Sequence, residues 1–78
     1  MSVTVKYFAS LRENVGVAEQ QCQIAQEGCS ATELWTQLNP SIKLANNSLV
    51  AINQNYACLG AQVNDGDEVA FFPPVTGG

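Results

Sequence analysis

Two runs of alternating β-branched and aromatic residues, one near each end of the chain, constrain the fold more than any other feature. In Val3-Thr4-Val5-Lys6-Tyr7-Phe8, the residues Val3, Val5 and Tyr7 lie on one face and Thr4, Lys6 and Phe8 on the other. That is the period-two pattern of a strand. Residues 67–72 repeat it, with Val69 and Phe71 opposite Ala70 and Phe72. Between them lies one clear helix signal. Ser30 stands three residues before Glu33, the spacing of a capping box, and Ala31, Leu34, Trp35 and Leu38 follow on one helical face. Pro40 limits that helix, because the residue before a proline avoids the α region.

The remaining elements are shorter. Ser10 and Glu13 also have capping-box spacing, Leu11 and Val15 form an i, i+4 stripe, and Gly16 suits a left-handed C-cap, so a helix of two turns is expected. Residues 18–25 alternate Ala18, Gln20, Cys22 and Ile24 against Glu19, Gln21, Gln23 and Ala25, a second strand despite glutamines that favour strands weakly. Gly28 marks a turn, and residues 41–48 hold a short turn around Ile42, Leu44 and Ala45. Leu49-Val50-Ala51-Ile52 is wholly apolar, as a buried central strand would be. Asn53-Gln54-Asn55 then turns the chain into a short return strand at 56–59, and Asn64-Asp65-Gly66 makes the last turn. Strands on both sides of one main helix, the last at the chain's end, imply a mixed sheet gripping a helix. This is an α+β fold of the β-grasp, or ubiquitin-like, kind, with residues 1–72 as the domain and 73–78 as an extended tail.

Composition limits what such a domain can do. A chain of 78 residues has one small core, burying only about 60% of the surface its unfolded form exposes. With 46% hydrophobic and 13% charged residues, it folds rather than staying disordered, and some apolar surface is left over for a partner. The net charge of −4 sets seven acids against Lys6, Arg12 and Lys43. Three scattered cations make no phosphate-tracking stripe, so no nucleic acid is expected, and acidity steers the chain to basic surfaces. No run approaches the ~20 apolar residues of a membrane span, and the cytosol is the expected compartment.

Catalytic chemistry is nearly absent. Without a single histidine, neither a Ser-His nor a Cys-His nucleophile can be assembled. Asp65, Asp67 and Glu68 beside Gly66 read as a solvated turn, the glycines form no phosphate loop, and no metal site is expected. Cys22, Cys29 and Cys58 lack disulfide or zinc spacing. They read as buried or half-buried small hydrophobes, the alternative being a sulfur-relay thiol. Alone, the chain is not an enzyme and binds no cofactor.

The end of the chain is the unusual part: Phe71-Phe72-Pro73-Pro74-Val75-Thr76-Gly77-Gly78. The prolines end the strand and hold the rest of the tail extended. Six residues from Pro73 can reach up to ~20 Å, and the side-chain-free glycines can thread a narrow channel. A frayed terminus is the ordinary alternative. An α-carboxyl group has a pKa near ~3.5 and is an unreactive carboxylate at neutral pH, so this terminus needs activation to react. Adenylation by ATP on another enzyme is the obvious route. Sulfide attack on the acyl-adenylate then yields a thiocarboxylate, and amine attack yields a protein tag.

The stretch from Asp65 to Gly78, with Tyr7-Phe8-Ala9 leading to Leu11-Arg12-Glu13 and with Val50-Ala51-Ile52-Asn53-Gln54, resembles the small subunit of molybdopterin synthase, the MoaD family. The resemblance spans the chain and is weakest over residues 30–48. It implies that Gly78 is adenylated by an activating enzyme related to ubiquitin activators, which uses ATP, and is then converted to a thiocarboxylate with sulfur mobilised by a desulfurase. It further implies two small subunits on a dimer of large subunits, each inserting Pro73, Pro74, Val75, Thr76 and Gly77 ahead of Gly78. There, sulfur passes to cyclic pyranopterin monophosphate and builds the molybdopterin dithiolene. Phe8, Tyr56 and Phe72 match positions where the family meets its large subunit, with Tyr56 expected at a turn. Ordinary core packing is the alternative for the two phenylalanines. Arg12 either pairs with a partner carboxylate or is solvated. Sulfur carriage for thiamine synthesis or tRNA thiolation, protein modification, and a plain interaction domain are the competing readings.

Overall fold

The computed structural model describes residues 1–74. Seven strands and two helices follow in the order β1 (Ser2–Tyr7), α1 (Ala9–Val15), β2 (Glu19–Gln23), β3 (Cys29–Ser30), α2 (Ala31–Leu38), β4 (Leu49–Ile52), β5 (Asn55–Ala57), β6 (Gln62–Val63) and β7 (Glu68–Phe72). Five strands form one sheet in the order β2-β1-β7-β4-β5. The first and last strands pair in parallel, Val5 against Val69 and Tyr7 against Phe71, and the other pairings are antiparallel. The sheet is therefore mixed and lies over α2, a β-grasp arrangement.

Pleating sorts the strands as their alternation requires. Val3, Val5 and Tyr7 of β1, Val50 of β4, and Val69 and Phe71 of β7 are buried together with Ala31, Leu34 and Trp35 of α2. An aromatic cluster forms the centre. The Trp35 ring meets Tyr7 and Phe71 edge-on at 5.7 and 5.1 Å between centroids. Such pairs add about 0.5–1.5 kcal/mol beyond the area they bury. Polar tips in this core have partners: Trp35 Nε1 donates to the Ile42 carbonyl at 2.6 Å, and Asn39 Nδ2 donates to the Tyr7 hydroxyl at 3.1 Å.

The two capping-box spacings have different outcomes. At α2 the box is complete: the Glu33 N–H donates to Ser30 Oγ at 3.0 Å, and the Ser30 N–H donates to Glu33 Oε1 at 2.8 Å. The next free donors of this helix, Ala31 N–H and Thr32 N–H, reach the carbonyls of Ala61 and Leu59. At α1 the expected Ser10–Glu13 box does not form. Phe8 holds the N-cap position without a side-chain cap bond, so Ser10 already lies inside the helix. Phe8 N–H is committed to the Phe71 carbonyl at 3.2 Å, one more rung of the β1–β7 ladder. Ala9, at φ +53°, turns the chain straight into the helix. Phe8 therefore ends just past β1 rather than within it. Gly16 does take the left-handed C-cap at φ +95° and donates its N–H to the Arg12 carbonyl.

Several expectations need correction. The β3–β6 ribbon, Cys29 against Val63 and Ser30 against Gln62, is too short to show alternation and was not anticipated. β4 is an inner strand, but β7 is the middle one. The turn before β5 is two residues, Asn53 and Gln54 with φ +52° and +71°, so Tyr56 lies on a strand and not at a turn. Cys22 is buried and Cys29 half-buried, whereas Cys58 is exposed rather than semi-buried. Among the described residues, no helix is long and apolar enough to cross a membrane.

Candidate functional site

The sheet has two faces, and α2 covers one. On the uncovered face the pleat presents Lys6 from β1, Ala51 from β4, Tyr56 from β5 and Ala70 and Phe72 from β7. Register makes them neighbours: Lys6 opposes Ala70, Ala51 opposes both Ala70 and Tyr56, and Leu49 opposes Phe72. Phe8, one residue past β1, continues the same face. Its ring stacks on Phe72 at 4.6 Å between centroids and 11° between planes, and Tyr56 leans on the other side of Phe72 at 6.0 Å and 53°.

The three aromatics grouped in the sequence, Phe8, Phe72 and Tyr56, thus lie together. They are one continuous row, and they are not core: Phe8 is 41% exposed and Tyr56 74%. Phe72 is half-buried between them. These large aromatics are left open in one row, whereas the same chain buries Tyr7, Trp35 and Phe71, and an exposed apolar row of this kind is a candidate interaction surface. Beneath the row is a groove of about 330 Å³ with Ala51 and Ala70 at its floor. Those alanines had not been singled out; the alternation placed Ala70 on the face of Phe72, but pairing it with Ala51 needed the strand register.

A short ionic rim bounds the groove. Lys6 Nζ lies 3.1 Å from Glu68 Oε1 and 3.9 Å from Glu19 Oε1. All three are well solvated, so each pair adds at most about 1 kcal/mol to stability. Their relevance is the local charge, two carboxylates against one ammonium. Lys6 is accordingly a rim residue of this face.

Arg12 does not join the site. It lies on α1 beside a separate, wide depression shared with Ser10, Glu13 and Val17, and it makes no ion pair among the described residues. The groove, unlike that depression, is lined by β7, the strand that leads to the tail. Pro73 and Pro74 follow β7 directly and are half-buried. Val75, Thr76, Gly77 and Gly78 lie outside the described residues.

The thiols give little chemistry. Burial pushes the Cys22 thiol up, and burial with the nearby Glu33 carboxylate does the same for Cys29. Both stay protonated at neutral pH, and a thiol is a poor nucleophile. Among the described residues, no group of three or more His, Cys, Asp or Glu side chains could hold a metal ion.

Known proteins share both the sequence and the arrangement. The model of the ThiS family matches residues 5–78. The molybdopterin synthase sulfur carrier subunit of Haemophilus influenzae is 39% identical, over 97% of this chain and 99% of its own length. The human protein of the same name is 35% identical, over 97% of this chain and 93% of its own. Among solved structures, SAMP1 (small archaeal modifier protein 1) of Haloferax volcanii superposes with a TM-score of 0.78 at 27% identity, covering both chains completely.

Proposed function

The chain belongs to the ThiS family, and from that membership we propose that it is the sulfur carrier subunit of a molybdopterin synthase, with Gly78 as the sulfur-bearing residue. The reading is supported most by one coincidence. The family match runs through to the Gly77-Gly78 end, and the strand that leads into this tail carries Phe72, the middle member of the exposed aromatic row. On this reading Pro73, Pro74, Val75 and Thr76 join a docking surface to a reactive terminus.

The chemistry follows from the terminus. On a separate activating enzyme, the Gly78 carboxylate attacks the α-phosphate of ATP and pyrophosphate leaves. A sulfide equivalent then attacks the acyl-adenylate and displaces AMP, so one carboxylate oxygen is replaced by sulfur. The thiocarboxylate is carried into a large-subunit active site by residues 73–77, where its sulfur bonds to cyclic pyranopterin monophosphate. Water then cleaves the acyl C–S bond, which leaves the sulfur on the pterin and returns Gly78 to a carboxylate. Two such deliveries form the dithiolene, with two small subunits on a large-subunit dimer. Phe8, Tyr56 and Phe72 rest on the large subunit, and Arg12 lies apart from them on α1. The chain provides no catalytic side chain of its own, and the cytosol is its place of work.

The intact mass of the chain after incubation with ATP, its activating enzyme and a sulfur source tests this. The expected gain equals replacement of one oxygen by sulfur and is absent when Gly78 is deleted. No gain with an activating enzyme shown to be competent sinks the sulfur-carrier reading. A second reading, protein modification, is favoured by the likeness to SAMP1. It requires an isopeptide bond from Gly78 to target lysines, visible as higher-mass conjugates in extracts.

A further inference from the structure

The aromatic row is continuous, but the groove under it is not flat. Its floor is the cross-strand pair Ala51–Ala70, the smallest side chains on this face. Its walls are Phe72 and Tyr56, and one end is closed by the Lys6–Glu68 ion pair. Small residues flanked by large ones make a socket for a side chain rather than a bed for a flat surface. Both alanines are less than a tenth exposed, so only a narrow group entering beside the touching Phe72 and Tyr56 rings reaches them.

The rim states the charge of what enters. Lys6 is shared between Glu68 at 3.1 Å and Glu19 at 3.9 Å, leaving one carboxylate in excess beside the socket. The chain as a whole carries −4, so the local and the long-range fields agree in sign. We propose that the socket takes one apolar side chain from a basic segment of the large subunit, and that a lysine or arginine beside that anchor meets the Glu19–Lys6–Glu68 rim. This rests on the assignment of the partner under Proposed function. It goes beyond it by naming the chemistry of the segment that docks and by giving Ala51, Ala70 and Glu68 the part of specificity determinants. Anchors of this kind, seated in a desolvated pocket and ringed by polar contacts, carry most of the affinity of an interface.

The test is association of the full-length chain with its purified large subunit, measured at low and high salt. Ala70→Leu fills the socket from the solvent side of the sheet. It is expected to weaken binding at least ~30-fold while the near-ultraviolet circular dichroism of buried Trp35 and the unfolding midpoint are kept. The two charge variants have opposite expected signs. Glu68→Gln weakens binding about two- to five-fold at low salt, and Lys6→Gln tightens it by a similar factor, because it uncovers a second carboxylate. Both effects shrink at high salt. A role in folding alone cannot make the loss of Lys6 favourable for binding. Weaker binding by Lys6→Gln overturns the basic segment, and unchanged binding by folded Ala70→Leu overturns the socket, in each case with the partner assignment left standing. Failure of the unaltered chain to bind the large subunit overturns that assignment and the inference together.

Discussion

Gly28→Ala is expected to be the most destabilising glycine-to-alanine change among the described residues. Gly28 has φ +80°, and a Cβ built there falls 2.5 Å from the Val63 carbonyl oxygen and 2.9 Å from Asn64 Oδ1, besides overlapping the Gln62 side-chain amide. The Gln62 amide can swing aside by giving up its bond to the Glu27 carbonyl. The Val63 carbonyl cannot, because it is backbone of the β3–β6 ribbon, paired at Cys29. Two costs therefore add: about 1 kcal/mol for an alanine held in the left-handed region, and about 1–3 kcal/mol for the forced overlap. Gly16 and Gly66 provide the control. They have φ +95° and +85° with nothing within 4 Å of a built Cβ, so their alanine variants incur only the first cost. Urea unfolding followed by Trp35 fluorescence should give a loss of about 2–4 kcal/mol for Gly28→Ala and about 1 kcal/mol for each control, with unchanged slopes. A domain of this size holds only about 4–12 kcal/mol in all, and each kcal/mol moves the melting temperature by about 4–8 °C. Equal losses at positions 16, 28 and 66 would refute the overlap argument.

Other outcomes follow from the same geometry. Gln54 holds φ +71° as the second residue of a two-residue hairpin turn, so Gln54→Gly should stabilise the fold by about 0.5–1 kcal/mol in the same unfolding assay. A double-mutant cycle on Phe8 and Phe72 should return a coupling of about 0.5–1.5 kcal/mol from their stacking; additive losses would mean that the rings merely lie near each other. Tyr7→Phe removes the oxygen that accepts from Asn39 Nδ2 and Gln20 Nε2, and with the Asn39 amide buried it should cost about 1–3 kcal/mol. Burial also raises the Tyr7 hydroxyl above its ordinary 10.0, and the Cys22 and Cys29 thiols above 9.0. The unfolded chain then releases protons before the folded one does, so stability holds up to about pH 9 and falls above it. Tyr7→Phe should make that fall shallower above pH 10.0; a steeper fall contradicts the assignment.

The parts of the fold legible in the sequence were those in which one residue's environment depends on near neighbours. Alternation in β1 and β7, the capping box at Ser30 and Glu33, the left-handed C-cap at Gly16 and a turn at Gly28 are local facts, and they stand. What could not be read depends on residues far along the chain. Ser10 and Glu13 have the same spacing as Ser30 and Glu33, yet they make no box because Phe71 holds the Phe8 N–H from the other end of the molecule. The β3–β6 ribbon depends on Gln62 and Val63 arriving beside Cys29. The candidate site divides in the same way. Phe8, Tyr56 and Phe72 could be named from the chain and its resemblance, while the alanine floor and the excess carboxylate appear only when register places Ala51, Ala70, Glu19 and Glu68 around Lys6.

The parallel pairing of the first strand with the last has a consequence for synthesis. β7 is the middle of the sheet, and Thr4 finds its partner only when Glu68 has been made. Contacts this distant along a chain form late and slowly. While a ribosome holds the final residues, β1 has no inner neighbour, and β4 and β5 form a hairpin with nothing to join. The sheet closes only once residues 68–72 have been made and can pair with β1 on one side and β4 on the other. A product cut short before Glu68 should show no cooperative unfolding, and it would be removed as unfolded protein.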